Sequence, residues 1–253
     1  MKLSVYIITL NEEQRLEKTL KSAIQVADEI IVIDSGSSDK TEEIAKKYNC
    51  KFIYNKWVSY SDQKHFAQQQ CSNDWVLNLD ADEVLSPEII KAINKEKESF
   101  KYSAYYLSLI DMNPTDIKPR RLGRRWNIVR LYNRNFANMP KDAMNKDRVA
   151  VNKNEKIGKI NGFVYHYCFL SIEKAVQKYN IHSSELVKTA IKNNTHYSKL
   201  RLIIEFPRQF VCYYFFKRYF VYGTYGFIQA MVLAYFRFLK IAKVISYWNK
   251  SEK

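Results

Sequence analysis

Cysteine is scarce in this sequence, and its few cysteines do not form a recognisable site. Cys50, Cys71, Cys168 and Cys212 stand at wide and irregular spacings in a chain of 253 residues. Zinc sites and thiol redox pairs normally use closely spaced cysteines, so this spacing excludes both classes of site. We expect four reduced thiols in the protein interior.

Two nucleotide-binding motifs are also missing. Neither G-x-G-x-x-G, typical of dinucleotide-dependent oxidoreductases, nor G-x-x-x-x-G-K-[ST], typical of P-loop nucleotidases, occurs in the chain. The sequence also lacks internal repeats and low-complexity tracts, and 47% of its residues are hydrophobic. These features indicate a folded protein that belongs to neither of the two enzyme classes.

No apolar segment of the sequence suits a secretory signal or a membrane span. Residues 3–10 read as a strand and not as the apolar part of a secretory signal, so we expect a cytoplasmic protein. Residues 219–236 form the longest apolar run, but Gly223, Gly226 and Gln229 make it a poor membrane span.

The net charge of +15 is unevenly distributed. Residues 1–100 carry 13 Lys and Arg against 17 Asp and Glu, and the rest carries 28 against 9, so the net charges are −4 and +19. The basic part predicts an anionic partner such as nucleic acid, a membrane surface or a phosphorylated acceptor. Residues 118–134 are densely basic and contain no acid, which suits either a solvated face or phosphate recognition.

Apolar periodicity predicts strands that alternate with helices. Strands are predicted at residues 3–10, 29–34, 51–55 and 75–80, and later ones at 102–109, 126–132 and 160–166. A long helix is predicted at 172–192. Asn11 with Gln14 reads as a capping box, and Ser86-Pro87 reads as another helix start. The pattern predicts an α/β fold with a mostly parallel sheet flanked by helices.

Polar residues follow three of these strands, where ligands bind in open parallel sheets. They are Thr9, Asn11 and Glu12 after the first strand, Asp34 after the second, and Asp80, Asp82 and Glu83 after the fourth. In extended backbone, Asp80 and Asp82 would point the same way and offer two carboxylates to one Mg²⁺ or Mn²⁺ ion. Ordinary turn and cap chemistry is the alternative.

Four segments together carry a family resemblance. SVYIITLNEE, EIIVIDSGSSDKT, QKHFA and WVLNLDADE, in this order, resemble the family 2 glycosyltransferases of GT-A fold. RLYNR at 130–134, the pair His166-Tyr167 and the aromatic C-terminal segment resemble the bacterial lipopolysaccharide core β-1,4-glucosyltransferases. The likeness extends over nearly the whole chain and is loosest at 110–160.

The resemblance implies an inverting, metal-dependent hexosyltransferase. Its expected donor is a nucleotide diphosphate sugar, UDP-glucose, its cofactor Mg²⁺ or Mn²⁺, and its acceptor a lipopolysaccharide or lipooligosaccharide core. The implied site residues are Thr9, Asn11, Glu12 and Asp34 around the nucleotide, Lys64 beside it, Asp80 at the ribose and Asp82 at the metal. Asp147 is the expected general base, with Asp142 in reserve. Asp147 could instead pair with Lys146 or Arg148.

We predict three functional segments. Residues 1–110 bind the nucleotide sugar, 111–200 hold the acceptor and the base, and 201–253 form a helical, aromatic and basic extension. Residues 199–253 carry ten Lys and Arg against two acids, and the last 53 residues hold 16 of the chain's 37 aromatics. This composition favours peripheral binding to the inner face of the cytoplasmic membrane, although packing on the catalytic domain is an alternative.

The sequence leaves two alternative functions open. One is transfer of galactose or an N-acetylhexosamine to a lipid-linked glycan. The other is a basic nucleic-acid-binding protein, which would leave Asp34, Asp80 and Asp82 without a role, so we expect no nucleic-acid partner. His166 is either a structural histidine or a hydrogen-bond donor in the site that binds the acceptor substrate.

Overall fold

The computed structural model describes residues 1–113, 116–141, 148–168 and 171–251. They form two compact units, one holding Met1–Ile110 with Arg125–Tyr167 and the other holding Asp111–Arg124 with the chain from Cys168 onward. Residues 125–167 therefore belong with the first unit, whereas our sequence-based division groups them with the middle segment. The three-segment functional division stays a prediction.

The described residues of the first unit form a mixed sheet and four helices. Its strands are β1 (Leu3–Thr9), β2 (Glu29–Asp34), β3 (Lys51–Tyr54), β4 (Trp75–Asp80), β5 (Glu83–Leu85), β6 (Ala104–Asp111), β7 (Arg125–Asn133), β8 (Ala137–Asn138), β9 (Ala150–Val151) and β10 (Ile157–His166). Its helices are α1 (Leu16–Ala23), α2 (Thr41–Lys47), α3 (Tyr60–Gln69) and α4 (Pro87–Glu96).

The strand order of the large sheet is β3-β2-β1-β4-β7-β6-β10-β5, and β8 pairs with β9 separately. β1 runs parallel to β2 and β4, and β2 runs parallel to β3. β7 is antiparallel to both β4 and β6. The predicted α/β architecture is confirmed, and its antiparallel pairs lie where the strand-helix alternation of the sequence becomes irregular.

β1 lies at the centre of the core and is buried along its whole length. Ile7 packs in the same apolar cluster as Leu16 of α1 and Ile89 of α4. Tyr6 packs on the opposite side of the sheet, in a cluster with Ala67 of α3. Helices on both faces explain why β1 reads as a continuous apolar run instead of an alternating one.

The structure confirms one of the two predicted helix starts and contradicts the other. The Ser86 hydroxyl accepts a hydrogen bond from the amide of Ile89 at 3.3 Å, which caps α4 as predicted. Asn11 does not cap α1, since that helix begins only at Leu16. Asn11 instead adopts a left-handed backbone with φ of 56°, and its side-chain Oδ1 accepts from the backbone amide of Ser38 at 2.9 Å. A long-range partner has taken the side chain that the local pattern assigned to a cap.

The second unit is helical, which confirms the predicted helical C-terminal extension. It contains α5 (Ile172–Lys192), α6 (Lys199–Val211), a π-turn (Cys212–Phe216), a 3₁₀ turn (Tyr219–Tyr222) and α7 (Gly223–Ser251). Both α5 and α6 pack against α7. Within the described part of the chain, every helix is too short or too polar to cross a membrane.

The four cysteines carry reduced thiols, as expected. Cys50 and Cys71 are buried, and burial raises the pKa of Cys50 to about 11 and that of Cys71 to about 12. Cys168 and Cys212 are partly exposed, so only two of the four thiols lie in the interior. The two buried thiols are protonated at neutral pH and act as small apolar side chains.

Candidate active site

Asp34 organises the loop that follows β2. One oxygen of its buried carboxylate accepts from the amides of Gly36 at 2.8 Å and Ser37 at 2.7 Å. The other oxygen accepts from the hydroxyl of Thr9 at 3.0 Å. Gly36 adopts a φ of 103°, a conformation that favours glycine. The structure thus brings Thr9 and Asp34 together at the carboxyl ends of neighbouring strands.

The turn after β1 is fastened to this loop. The backbone amide of Asn11 donates to the Ser37 hydroxyl at 2.7 Å, and the amide of Glu12 donates to the Thr41 hydroxyl at 2.9 Å. With the Asn11–Ser38 bond, these contacts hold the turns after β1 and β2 side by side. The result is a preformed polar edge at the carboxyl end of the parallel strands.

Two buried cations surround Asp80 at the end of β4. Lys64 Nζ lies 2.7 Å from one Asp80 oxygen, and Arg130 Nη2 lies 2.7 Å from the other. The same Arg130 nitrogen lies 2.5 Å from the carboxylate of buried Glu83, which also accepts from the Asp80 amide. Lys64 comes from α3 and Arg130 from β7, so three separate parts of the first unit meet at this carboxylate.

The electrostatics of this cluster keep Asp80 ionised. Desolvation alone would raise the pKa of Asp80, but Arg130 and Lys64 outweigh it and hold that pKa far below the ordinary value. Burial raises the pKa of Glu83 to about 7, although Arg130 opposes the shift. Two cations thus face two carboxylates, and their chief effect is to keep the Asp80 carboxylate ionised and fixed at the end of β4.

Asp82 lies in the turn between β4 and β5, beside a residue that our sequence analysis missed. Arg15 binds both oxygens of Glu12, at 2.7 and 2.5 Å, and donates to the Asp82 carboxylate at 3.1 Å. His166 Nε2 lies 3.7 Å from the same Asp82 oxygen. The i,i+3 spacing of Glu12 and Arg15 was a visible signal of their pairing, but nothing in the sequence connected Arg15 to Asp82.

The geometry expected for Asp80 and Asp82, two carboxylates on one side of an extended strand, is wrong. Ala81 and Asp82 form a turn, so Asp80 and Asp82 do not share one face of an extended strand. Asp80 is held by Lys64 and Arg130, whereas Asp82 lies near His166. A carboxylate and an imidazole are groups that could hold a divalent cation.

A groove of about 400 Å³ lies on β6, β7 and β10. Arg125 and Lys159 line it, and the Arg125 guanidinium sits 5.1 Å from the centre of the Phe163 ring. Trp126 also lines the groove and meets the ring of His166 edge to face at 5.6 Å. Because His166 in turn faces Asp82, a chain of contacts connects the groove with the carboxyl edge of the sheet.

The basic stretch at 118–134 does not form one surface. Arg130 is buried against Asp80 and Glu83, whereas Arg120 pairs with Asp116 at 3.0 Å. Arg125 is exposed in the groove. Neither a solvated face nor a phosphate-binding surface therefore describes all of residues 118–134. The two candidate bases, Asp147 and Asp142, lie outside the described residues.

Comparison with known proteins agrees with this architecture. The model of glycosyl transferase family 2 matches residues 4–160. An uncharacterised glycosyltransferase of Rickettsia typhi is 40% identical over 252 residues, which are 96% of this chain and 86% of that protein. The lipopolysaccharide core biosynthesis glycosyltransferase LpsC of Rhizobium meliloti is 30% identical, over 96% of this chain and 91% of that protein. The S. aureus TarS 1–349 structure in complex with UDP matches with a TM-score of 0.46 and 14% identity, over 99% of this chain and 92% of that one.

The family match covers more than half of the chain, and the two sequence relatives extend over almost all of it. The four sequence segments that carry the resemblance all fall within the matched region. This chain therefore belongs to glycosyltransferase family 2, has its GT-A fold and is a transferase.

Proposed function

We propose that this protein transfers glucose, with inversion, from UDP-glucose to a lipid-linked lipopolysaccharide or lipooligosaccharide core. The observation that carries the proposal is the cluster of Lys64, Arg130 and Asp80 at the carboxyl edge of the sheet. Asp34 lies on the other side of β1, two strand spacings or about 10 Å away. The donor nucleotide lies along this edge.

Each site residue has a role that its contacts support. The Asp34-ordered loop, with Thr9, Asn11 and Glu12 behind it, forms the nucleotide pocket. Lys64 and Arg130 hold the Asp80 carboxylate in place to accept a hydrogen bond from a ribose hydroxyl. A fixed acceptor avoids the entropy cost of ordering that side chain when the donor binds.

Asp82 and His166 are the proposed ligands of Mg²⁺ or Mn²⁺. When bound, the ion supplies positive charge that stabilises the leaving diphosphate. Arg15 donates to Asp82 and keeps its bidentate bond to Glu12, so it can orient the Asp82 carboxylate or withdraw towards Glu12. Asp147 is the proposed base that takes the proton from the acceptor hydroxyl.

The groove on β6, β7 and β10 is the proposed acceptor site. Arg125 and Lys159 suit a phosphorylated sugar, and Trp126 and Phe163 provide apolar faces for sugar rings. The acceptor is lipid-linked and is presented at the inner face of the cytoplasmic membrane, where the basic extension binds.

The donor is tested by thermal unfolding of the full chain with Mn²⁺ and a panel of UDP, GDP and ADP sugars. We expect UDP-glucose to raise Tm most, because a ligand that binds only the folded state stabilises it. A larger shift with UDP-galactose or a UDP-N-acetylhexosamine would move the assignment to that sugar. If no nucleotide sugar changes Tm with Mn²⁺ or Mg²⁺, the proposal fails.

The acceptor groove is tested by Lys159→Ala. Loss of one charge-assisted hydrogen bond should raise the acceptor KM about tenfold and leave the donor KM unchanged. The measurement is transfer from UDP-glucose to core oligosaccharide before and after chemical dephosphorylation, and only the phosphorylated acceptor should show the effect. Lys153→Ala removes an exposed lysine outside the groove and serves as the control. An equal KM for both variants would contradict the groove assignment.

A further inference from the structure

α6 buries two polar residues and leaves several apolar ones in water. Its two buried residues are Glu205 and Gln209, and the half-buried Phe210 packs beside them on the apolar cluster of the second unit. Its exposed side carries apolar residues next to Arg201 and Arg208, and Ile203 is 74% exposed. Spacings of three, four and seven residues place the exposed apolar residues on one face of the helix, namely Leu200, Ile203, Ile204 and Val211. A helix that packs into a water-soluble surface shows the opposite arrangement.

A polar network within α6 surrounds the buried carboxylate of Glu205. Arg201 Nε lies 2.8 Å and Arg208 Nη2 lies 3.0 Å from the buried carboxylate of Glu205. The side-chain amide of Gln209 donates to the same carboxylate at 2.8 Å. The network sits on the helix that packs against α7. All four of its residues belong to α6, so the network compensates the charge of Glu205 where that carboxylate is buried, while Ile203 and Ile204 stay exposed.

The exposed apolar surface continues beyond α6 into the two turns and α7. Phe215 and Phe216 of the π-turn are exposed, and Phe216 is 78% exposed. Tyr214 connects them to neighbouring rings, because its centroid lies 5.1 Å from Phe215 and 6.4 Å from exposed Phe220. Phe227 of α7 lies 5.8 Å from Tyr214 on the same cluster. The apolar face of α6 and these phenylalanines together form what we call the apolar tip.

Positive charge accompanies the apolar tip. Lys199 stands at the start of α6, and Lys217 and Arg218 follow the π-turn, all three exposed. Glu205 is the single acidic residue from 199 to 251 in the sequence, and its charge is compensated inside the network. The tip therefore presents an apolar surface with positive charge at the start of α6 and after the π-turn.

We infer that the apolar tip inserts into the interfacial layer of an anionic lipid bilayer. Moving exposed phenylalanine and isoleucine side chains out of water is favourable, and flanking Lys and Arg pair with lipid phosphates. This inference rests on the proposed lipid-linked acceptor and names the residues that would bring the enzyme to it. A neutral protein partner would not use the positive charge that accompanies the tip.

The test is flotation of the full chain with vesicles of phosphatidylglycerol and phosphatidylethanolamine, and with neutral phosphatidylcholine vesicles. We expect binding to the anionic vesicles that weakens at 1 M salt, because the screening length falls to about 3 Å. The double variant Ile203→Ser/Phe216→Ser should bind at least tenfold more weakly. Ile181→Ser removes a 66% exposed isoleucine of α5 and should bind like the wild type. The charge variant Lys217→Glu/Arg218→Glu should lose binding to the anionic vesicles without any change in the apolar face.

The inference is overturned if the wild type does not float, or if the double variant floats as well as the wild type. It is also overturned if the wild type is a dimer in solution that the double variant converts to a monomer, since the tip would then be a contact between copies. Thermal unfolding with UDP and Mn²⁺ on the same samples separates the two proposals. A double variant that binds UDP normally but no longer floats supports membrane insertion of the apolar tip. Flotation of a wild type that does not bind UDP contradicts only the proposed function.

Discussion

Asp82→Ala should abolish sugar transfer while the protein stays folded. Asp82 is a turn residue at the edge of the sheet, and its side chain contacts Arg15 and approaches His166 without packing in the apolar core. Arg15 keeps both bonds to Glu12 when Asp82 is removed. The loss therefore falls on metal binding and not on folding.

The measurement is release of UDP from UDP-glucose with core oligosaccharide as acceptor, together with thermal unfolding of each variant. Asp74→Ala replaces an exposed aspartate of the same unit and should keep wild-type turnover. Asp82→Ala with normal Tm and no turnover is the expected result. Near-wild-type turnover of Asp82→Ala in excess EDTA would defeat the metal-dependent mechanism.

Asp147→Asn should lower turnover by roughly 10² to 10⁴-fold, the usual contribution of a general base. An asparagine keeps the size of the side chain but cannot take the acceptor proton, so the donor KM should change little. The product's anomeric configuration, measured by NMR, should be inverted relative to the donor, because a single displacement by the acceptor hydroxyl attacks from the opposite face.

Asp142→Asn is the paired variant for this prediction. If Asp142→Asn shows the large loss of turnover and Asp147→Asn stays active, the base is Asp142. If both variants stay active, the base is neither residue and the resemblance does not extend to this segment. Lys153→Ala, outside the groove, again serves as the control.

The features that the sequence predicted best are those with local causes. The apolar run of β1 and the Ser86 cap of α4 each depend on residues within a few positions, and both were found. The long helix α5 begins and ends at the predicted residues. Strand ends also placed Thr9 and Asp34 at one edge, because parallel strands end together.

The features that it missed depend on partners far away in the chain. Asp80 pairs with Arg130, which stands 50 positions later, and Arg15 reaches Asp82 across 67 positions. Asn11 has the chemistry of a cap, but the loop after β2 supplies a different partner. The sequence likewise showed an apolar, basic extension without showing that α6 buries Glu205 and Gln209 and leaves Ile203 exposed.

The most direct test of the proposed mechanism is calorimetric titration of UDP into the full chain with Mn²⁺, repeated in excess EDTA. The cluster of Lys64, Arg130 and Asp80 together with a metal at Asp82 predicts saturable binding with Mn²⁺ and at least a tenfold loss of affinity in EDTA. Equal affinity in both conditions, or no binding of UDP in either, would contradict it.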